Sequence, residues 1–261
     1  MDFLIDTMIV FRRQWRLSMR SPVWVIIGIF QPVLYLALFG PLLTKLPPGI
    51  LGGQIGAAGS GTAAAYRFFV PGLLIQLGLS GSTFVGFSVI ADYRAGVIER
   101  FRVTPVNRLA IMTGRVLRDV ITLVVQAIIL VLAGLAFGLR APLMAIAIAL
   151  GFIVLVAIGL ASVSYATALV IKREEAFAPL LNMFIFPLML LSGIMLPMTL
   201  GPGWLQDISK ASPFRYIINA MRVAFQGHYA NSTMYEGLAV AVGMTIVCVI
   251  LGSRAFLREN A

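Results

Sequence analysis

Groups that bind metal, nucleotide or a second thiol are scarce in this chain. A single cysteine, Cys248, excludes an intrachain disulfide and a thiolate metal cluster, and the single histidine, His228, has no companion at metal-ligand spacing. Cys248 reads as a packing residue and His228 as part of a surface loop. The three lysines, Lys45, Lys172 and Lys210, follow Thr, Ile and Ser, so no phosphate-cradling loop ending in Gly-Lys-Ser/Thr is present. Any nucleotide site must therefore belong to another polypeptide. Charged residues make up only 11% of the sequence, where soluble domains carry about a quarter.

Apolar residues fill the space that charge leaves. Of 261 residues 60% are hydrophobic, and the mean hydropathy is +0.97, which defines an integral membrane protein. A helix crosses a hydrocarbon core in roughly 20 residues, and only helices and closed barrels satisfy their own backbone there. Six stretches qualify: 23–43, 68–91, 120–139, 143–171, 176–200 and 237–253. The expected fold is an all-α polytopic bundle, one domain over 1–261, with no room for a separate catalytic domain.

The first 20 residues scatter Arg12, Arg13, Arg16 and Arg20 among apolar positions and lack a short apolar core with a small-residue cleavage site, so a secretory signal is not expected. Leu4, Met8, Phe11, Trp15 and Met19 fall on one helical stripe, with Asp6, Arg13, Arg16 and Arg20 around the other side. Residues 1–22 thus read as an interfacial helix with its arginines toward anionic lipid, serving as an anchor alone or also touching a cytosolic partner. An even number of spans puts both termini on one side. That side holds Arg12, Arg13, Arg16, Arg20, Arg94, Arg100, Arg102, Arg108, Arg115, Arg118, Lys172, Arg173, Arg254 and Arg258. The other holds Lys45, Arg67, Arg140, Lys210, Arg215 and Arg222. The bias places the termini and the 92–119 loop in the cytoplasm. The net charge of +10 is dispersed over separate membrane-adjacent segments, which argues against a nucleic-acid partner.

Within the six stretches there is no Asp, Glu, Lys, Arg or His. A self-sufficient proton-coupled transporter needs an intramembrane ionisable group, and a membrane enzyme needs a polar catalytic cluster, so both are disfavoured. Two connections are patterned instead. In 92–119, Glu99, Arg100 and Arg102 interleave with Ile98, Phe101 and Val103, and Pro105 stops the turn. This makes a compact amphipathic knob for docking, against the plainer reading of a basic topology loop. After Asn107 a second helix is expected to run straight into the third span. On the other side, SGIMLPMTLGPGWLQDISKASPFRYIINAMR (192–222) leaves a span, breaks at Pro197 and at Gly201-Pro202-Gly203, and resumes. Residues 201–236 read as a re-entrant gate.

Those segments carry a resemblance. The basic helix before Ser21-Pro22, the loop GVIERFRVTPVNRLAIMTGRVL (96–117) and the 192–222 stretch, with Gly193, Pro197, Trp204, Leu205, Pro213 and Arg222 in order, resemble the membrane subunits of type-2 ABC exporters, and among them the drug-resistance permeases. The resemblance covers nearly the whole chain. It implies two membrane subunits, identical or similar, paired with two ATP-binding subunits that hold ATP and Mg, with no cofactor on this chain. Glu99, Arg100, Phe101, Arg102, Val103, Thr104 and Pro105 would be the coupling helix seated in the ATPase. Pro197, Trp204, Pro213 and Arg222 would belong to the outer gate.

Phe30, Gln31, Gln76, Phe84, Asn182, Phe184 and Met189 are candidate path residues, since aromatic, thioether and amide groups suit an amphipathic, largely apolar substrate such as a drug or lipid-like molecule. The alternatives are an exporter of lipid-linked glycan and a non-transporting scaffold. Arg215 and Arg222, cations on the outer side, are expected to meet lipid headgroups or an anionic substrate group, the headgroups being preferred.

Overall fold

The computed structural model describes residues 3–20, 23–44, 62–97, 108–194, 198 and 201–259. Ten α-helices and one 3-10 turn occur among them: α1 (Phe3–Arg20), α2 (Val23–Thr44), α3 (Thr62–Thr83), the 3-10 turn Phe84–Gly86, α4 (Phe87–Arg94), α5 (Arg108–Ala136), α6 (Leu143–Ile171), α7 (Glu174–Ser192), α8 (Gly203–Lys210), α9 (Pro213–Phe225) and α10 (Ser232–Glu259). Six segments are long and apolar enough to cross a membrane, with α3, the 3-10 turn and α4 acting as one span of 33 residues. All described regular structure is helical.

The span order follows the sequence expectation, but the boundaries shift for physical reasons. The second span starts at Thr62, before the expected 68, and carries Arg67 within it, the Arg67 Nε donating to the Arg140 carbonyl. α5 runs unbroken from Arg108 for 29 residues, about 43 Å, so the third span reaches from Leu109 to Ala136 where 120–139 is expected. The helix beginning after Asn107 is as expected. The fifth span ends at Ser192, short of 200, where Gly193 takes a left-handed conformation (φ 73°) that only glycine adopts cheaply. The fourth span matches its expected limits.

α6 and α3 form the centre. α6 packs against α10, α5 and α3, and α9 packs on α10, α3 and α6. The span containing α3 is 61% buried, against 17% for α2 and 22% for each of α7 and α10. Within hydrocarbon the hydrophobic effect does not drive helices together, so small residues that permit backbone approach do. At the α6–α10 contact a Cβ on Gly252 would stand 2.6 Å from the Ser162 carbonyl, and Thr245 Oγ1 donates to the Leu155 carbonyl at 2.9 Å.

α1 lies along α5, burying Asp6, Thr7, Val10 and Gln14. Leu4, Met8 and Met19 of its apolar stripe are exposed, and Phe11 stacks on Trp15 at 5.9 Å. Asp6, expected beside the arginines on a solvated face, is instead 2% exposed. His228 is exposed in the loop after α9, as expected.

Candidate functional site

The bundle has a polar assembly at each end. At the end shared by α1 and the α4–α5 connection, α4 delivers Asp92, the first turns of α5 deliver Arg115, Arg118 and Asp119, and the last turns of α6 deliver Tyr165. Arg115 Nη2 meets Asp92 Oδ2 at 2.5 Å, and Arg118 Nη2 meets Asp119 Oδ1 at 2.9 Å. The Tyr165 hydroxyl donates to Asp119 Oδ2. Tyr165 is fully buried, Arg115 and Asp119 nearly so. Two cations and two anions neutralise one another, which is the condition under which charges persist away from water. Arg115 Nε and Nη1 and Arg118 Nε lack a hydrogen-bond partner among the described residues.

Further contacts tie the same corner to α7. Arg94 meets Glu174 and Glu175, each at 3.5 Å, and Lys172 Nζ lies 5.4 Å from the centre of the Tyr93 ring. The Arg94 pairs are half exposed, and such pairs contribute little stability; they fix direction more than they add energy. The segment between these anchors, residues 98–107, holds every expected coupling residue (Glu99, Arg100, Phe101, Arg102, Val103, Thr104 and Pro105), and it lies outside the described residues. Both feet of that segment are thus locked to the bundle, α4 by Asp92 and Arg94, α5 by Arg115 and Asp119.

One helical turn into the bundle the backbone changes register. Between α3 and α4 the 3-10 turn breaks the regular ladder, and Ser164 of α6 bridges the break: the Gly86 N–H donates to Ser164 Oγ at 3.0 Å and the Ser164 hydroxyl donates to the Thr83 carbonyl at 2.5 Å. A Cβ on Gly86 would stand 2.5 Å from Phe177 Cζ and 2.7 Å from the Ser164 carbonyl, so only glycine fits. Phe87 packs edge-on against Phe177 at 5.0 Å and stacks on Phe84 at 6.1 Å. Mid-helix 3-10 stretches commonly mark hinges.

At the opposite end α8 and α9 form a short helical pair. Pro213 stands at the first position of α9, where its missing N–H costs nothing. Arg215 Nη1 donates to the Gln206 carbonyl and to Ser209 Oγ, the Tyr216 hydroxyl donates to the Lys210 carbonyl, and Gln206 Nε2 donates to the Gly201 carbonyl. Arg215 thus closes the end of α8.

Arg222 corrects the expectation of a headgroup ligand. It is 5% exposed, donates from Nη2 to the Gly193 and Ile194 carbonyls at 2.8 and 3.3 Å and from Nε to the Phe68 carbonyl at 3.3 Å. It therefore satisfies the carbonyls freed where α7 stops. Desolvation lowers its pKa to about 9, leaving it a cation at neutral pH. Trp204 is exposed, and Pro197 lies outside the described residues.

The path candidates are not gathered into one cavity. Phe30 and Gln31 on α2 and Phe184 on α7 are exposed, Asn182 and Met189 on α7 and Phe84 are half-buried, and Gln76 is buried inside α3. Gln31 Nε2 donates to the Tyr35 hydroxyl at 3.2 Å. The Asp119–Tyr165 pair and the Arg222 staple were missed from the sequence. The signal for the first was an acid immediately after Arg118, directly against an apolar run.

Six apolar spans with buried polar ties at both ends make this a multi-pass membrane protein. The chain belongs to the ABC-2 type transporter family, matched over residues 6–225. It is similar to the daunorubicin resistance ABC transporter permease protein DrrB1 of Streptomyces coeruleorubidus, with 28% identity over 253 residues covering 95% of this chain and 85% of that one. A putative transport permease of Cyanophora paradoxa is 26% identical over 256 residues, covering 95% and 85%. The probable doxorubicin resistance ABC transporter permease protein DrrC of Mycobacterium tuberculosis is 23% identical over 256 residues, covering 95% and 87%.

Proposed function

We infer that this chain is the membrane subunit of an ATP-driven exporter in a bacterial cytoplasmic membrane, forming the path for a hydrophobic or amphipathic substrate of drug or lipid-like chemistry. ATP and Mg are held by separate ATP-binding subunits, two per complex, and a second membrane subunit completes the path. Both termini and residues 98–107 lie in the cytoplasm by the excess of Arg and Lys at that end. α1 lies in the inner interface, and α8 and α9 form the re-entrant outer segment.

The observation that carries this reading is the anchoring of both feet of residues 98–107. An ATPase that pulls on Glu99 to Pro105 moves α4 and α5 as a unit, because Asp92 is paired to Arg115. The motion passes to α6 through the Asp119–Tyr165 hydrogen bond and to α7 through Arg94. It meets the 3-10 turn, which absorbs a change of helix direction, and so reaches the outer half of α3. There Arg222 links α3 to the end of α7 and to α9. Phe30, Gln31 and Phe184 are exposed on α2 and α7, two of the least buried spans, as suits a path formed between two membrane subunits.

The test is docking. The F101D/R102E variant, co-expressed with the ATP-binding subunit and purified by a tag on this chain, is expected to lose the ATPase and ATP-driven transport in proteoliposomes. Full complex formation and transport by that variant refute the docking assignment.

A further inference from the structure

α1 uses one face and leaves the others open. Its seat on α5 is close: a Cβ on Gly114 would stand 2.8 Å from the Thr7 carbonyl and 2.9 Å from Val10 Cβ. With Asp6, Thr7, Val10 and Gln14 buried there, the helix cannot roll, and its remaining faces have fixed directions. Two rows at four-residue spacing run along them, Ile9, Arg13, Leu17 and Arg12, Arg16, Arg20. These six side chains line an open groove of about 430 Å³. The only acid in α1, Asp6, is buried, while Arg12, Arg16 and Arg20 are exposed along the groove.

Position selects the occupant. Arg20 ends α1 and Val23 begins the first span, three residue-to-residue steps apart, which an extended chain covers in about 11 Å at most. The polar layer on each side of the hydrocarbon is about 5–8 Å deep, so Arg16 and Arg20 stand at headgroup depth. Toward the N-terminus Leu4, Ile5, Met8 and Ile9 are 77, 56, 59 and 62% exposed, an apolar surface continuous with the arginines. A free phosphate satisfies only the cations. An amphiphile with an anionic phosphodiester satisfies both surfaces.

We propose that the groove on α1 is a binding site for an anionic phospholipid, its phosphate held by Arg12, Arg16 and Arg20 and an acyl chain lying along Ile9 and Leu17. The site rests on the placement of α1 in the inner interface. Because α1 is seated on the first turns of α5, which lead out of residues 98–107, a bound lipid steadies the base of the coupling segment.

The test uses the full chain in nanodiscs, with W24F and W204F leaving Trp15, next to the groove, as the only tryptophan. Phosphatidylcholine discs are doped with acyl-brominated phosphatidylglycerol or, at equal mole fraction, acyl-brominated phosphatidylcholine, and quenching of Trp15 is read. The anionic lipid is expected to quench at lower mole fraction, and added salt weakens that preference. Each arginine changed to glutamine should reduce the preference about fivefold, so that R12Q/R16Q/R20Q abolishes it, while R12K/R16K/R20K keeps most of it. R16Q alone gives the graded, fivefold result in a chain with a single neutral substitution.

The failures separate. Absence of quenching by either lipid refutes the interfacial placement of α1. Equal quenching by both in the arginine-containing chain leaves that placement standing and overturns the anionic site. Loss of the preference on adding inorganic phosphate identifies a free-phosphate site and overturns the lipid. A triple glutamine variant that keeps the lipid preference but loses the ATP-binding subunit on co-purification assigns the arginines to protein docking, and also overturns it.

Discussion

The Arg222 guanidinium lies 3.7 Å over the centre of the Phe68 ring, and the same side chain donates to the Phe68, Gly193 and Ile194 carbonyls. One residue of α9 thereby holds the first turns of α3 and the end of α7. A buried guanidinium gains from the aromatic face, and its fork serves several carbonyls at once.

Replacing Arg222 with leucine leaves those carbonyls buried without donors, at about 1–3 kcal/mol each. The thermal midpoint of the detergent-solubilised protein is expected to fall by at least about 6 °C. Arg222→Lys falls between, since an ammonium reaches fewer of the three acceptors. A midpoint unchanged in the leucine variant contradicts the stapling role.

Tyr165 and Asp119 answer to a double-mutant cycle. Tyr165→Phe removes the donor to a buried carboxylate, and Asp119→Asn also strips Arg118 of its anion; each should destabilise by about 1–3 kcal/mol. The double variant should lose less than the sum, with a coupling of about 1–2 kcal/mol. Strict additivity in denaturation midpoints means that the two side chains do not share an interaction energy.

Legibility in the sequence tracked range of interaction. Six spans, the helix that starts after Asn107 and the break at Gly201-Pro202-Gly203 follow from runs of apolar residues and from proline and glycine, all local signals. Span edges were misplaced where a charge found a distant partner, as Arg67 does at Arg140 and Asp119 at Tyr165, since hydropathy treats each charge as solvated. Arg222 was read as a headgroup ligand for the same reason: its acceptors come from carbonyls 28, 29 and 154 residues away. The 3-10 turn at Phe84–Gly86 depends on Ser164, 78 residues on from Gly86, and no local pattern announces it.

That turn gives a third prediction. Gly86→Ala forces a methyl to within 2.5–2.7 Å of the Phe177 ring and the Ser164 carbonyl, an overpacking cost of about 1–3 kcal/mol. Ser164→Ala costs about 1–3 kcal/mol by leaving the Gly86 N–H unsatisfied, but creates no clash. If the turn is a hinge, Ser164→Ala should slow ATP-driven transport more than its small loss of stability accounts for, with the ATPase still bound. Equal, modest losses of stability and transport reduce the turn to a packing feature.

The α8–α9 pair separates gating from structure because its two marked residues stand where stability is cheap to perturb. Trp204 is 65% exposed, so Trp204→Ala removes little buried area and should shift stability by no more than about 0.5 kcal/mol. Pro213 occupies the first position of α9, where alanine is also accepted, and Pro213→Ala loses chiefly the restraint on the unfolded chain, about 0.4–1 kcal/mol. Both variants should assemble with the ATP-binding subunit and hydrolyse ATP. A gate requires more of them: transport in proteoliposomes should drop severalfold in each while ATP turnover continues, uncoupled. Transport at the unsubstituted rate makes the pair a cap on the bundle, and then control of release must lie with the ends of α3 and α7 that Arg222 joins.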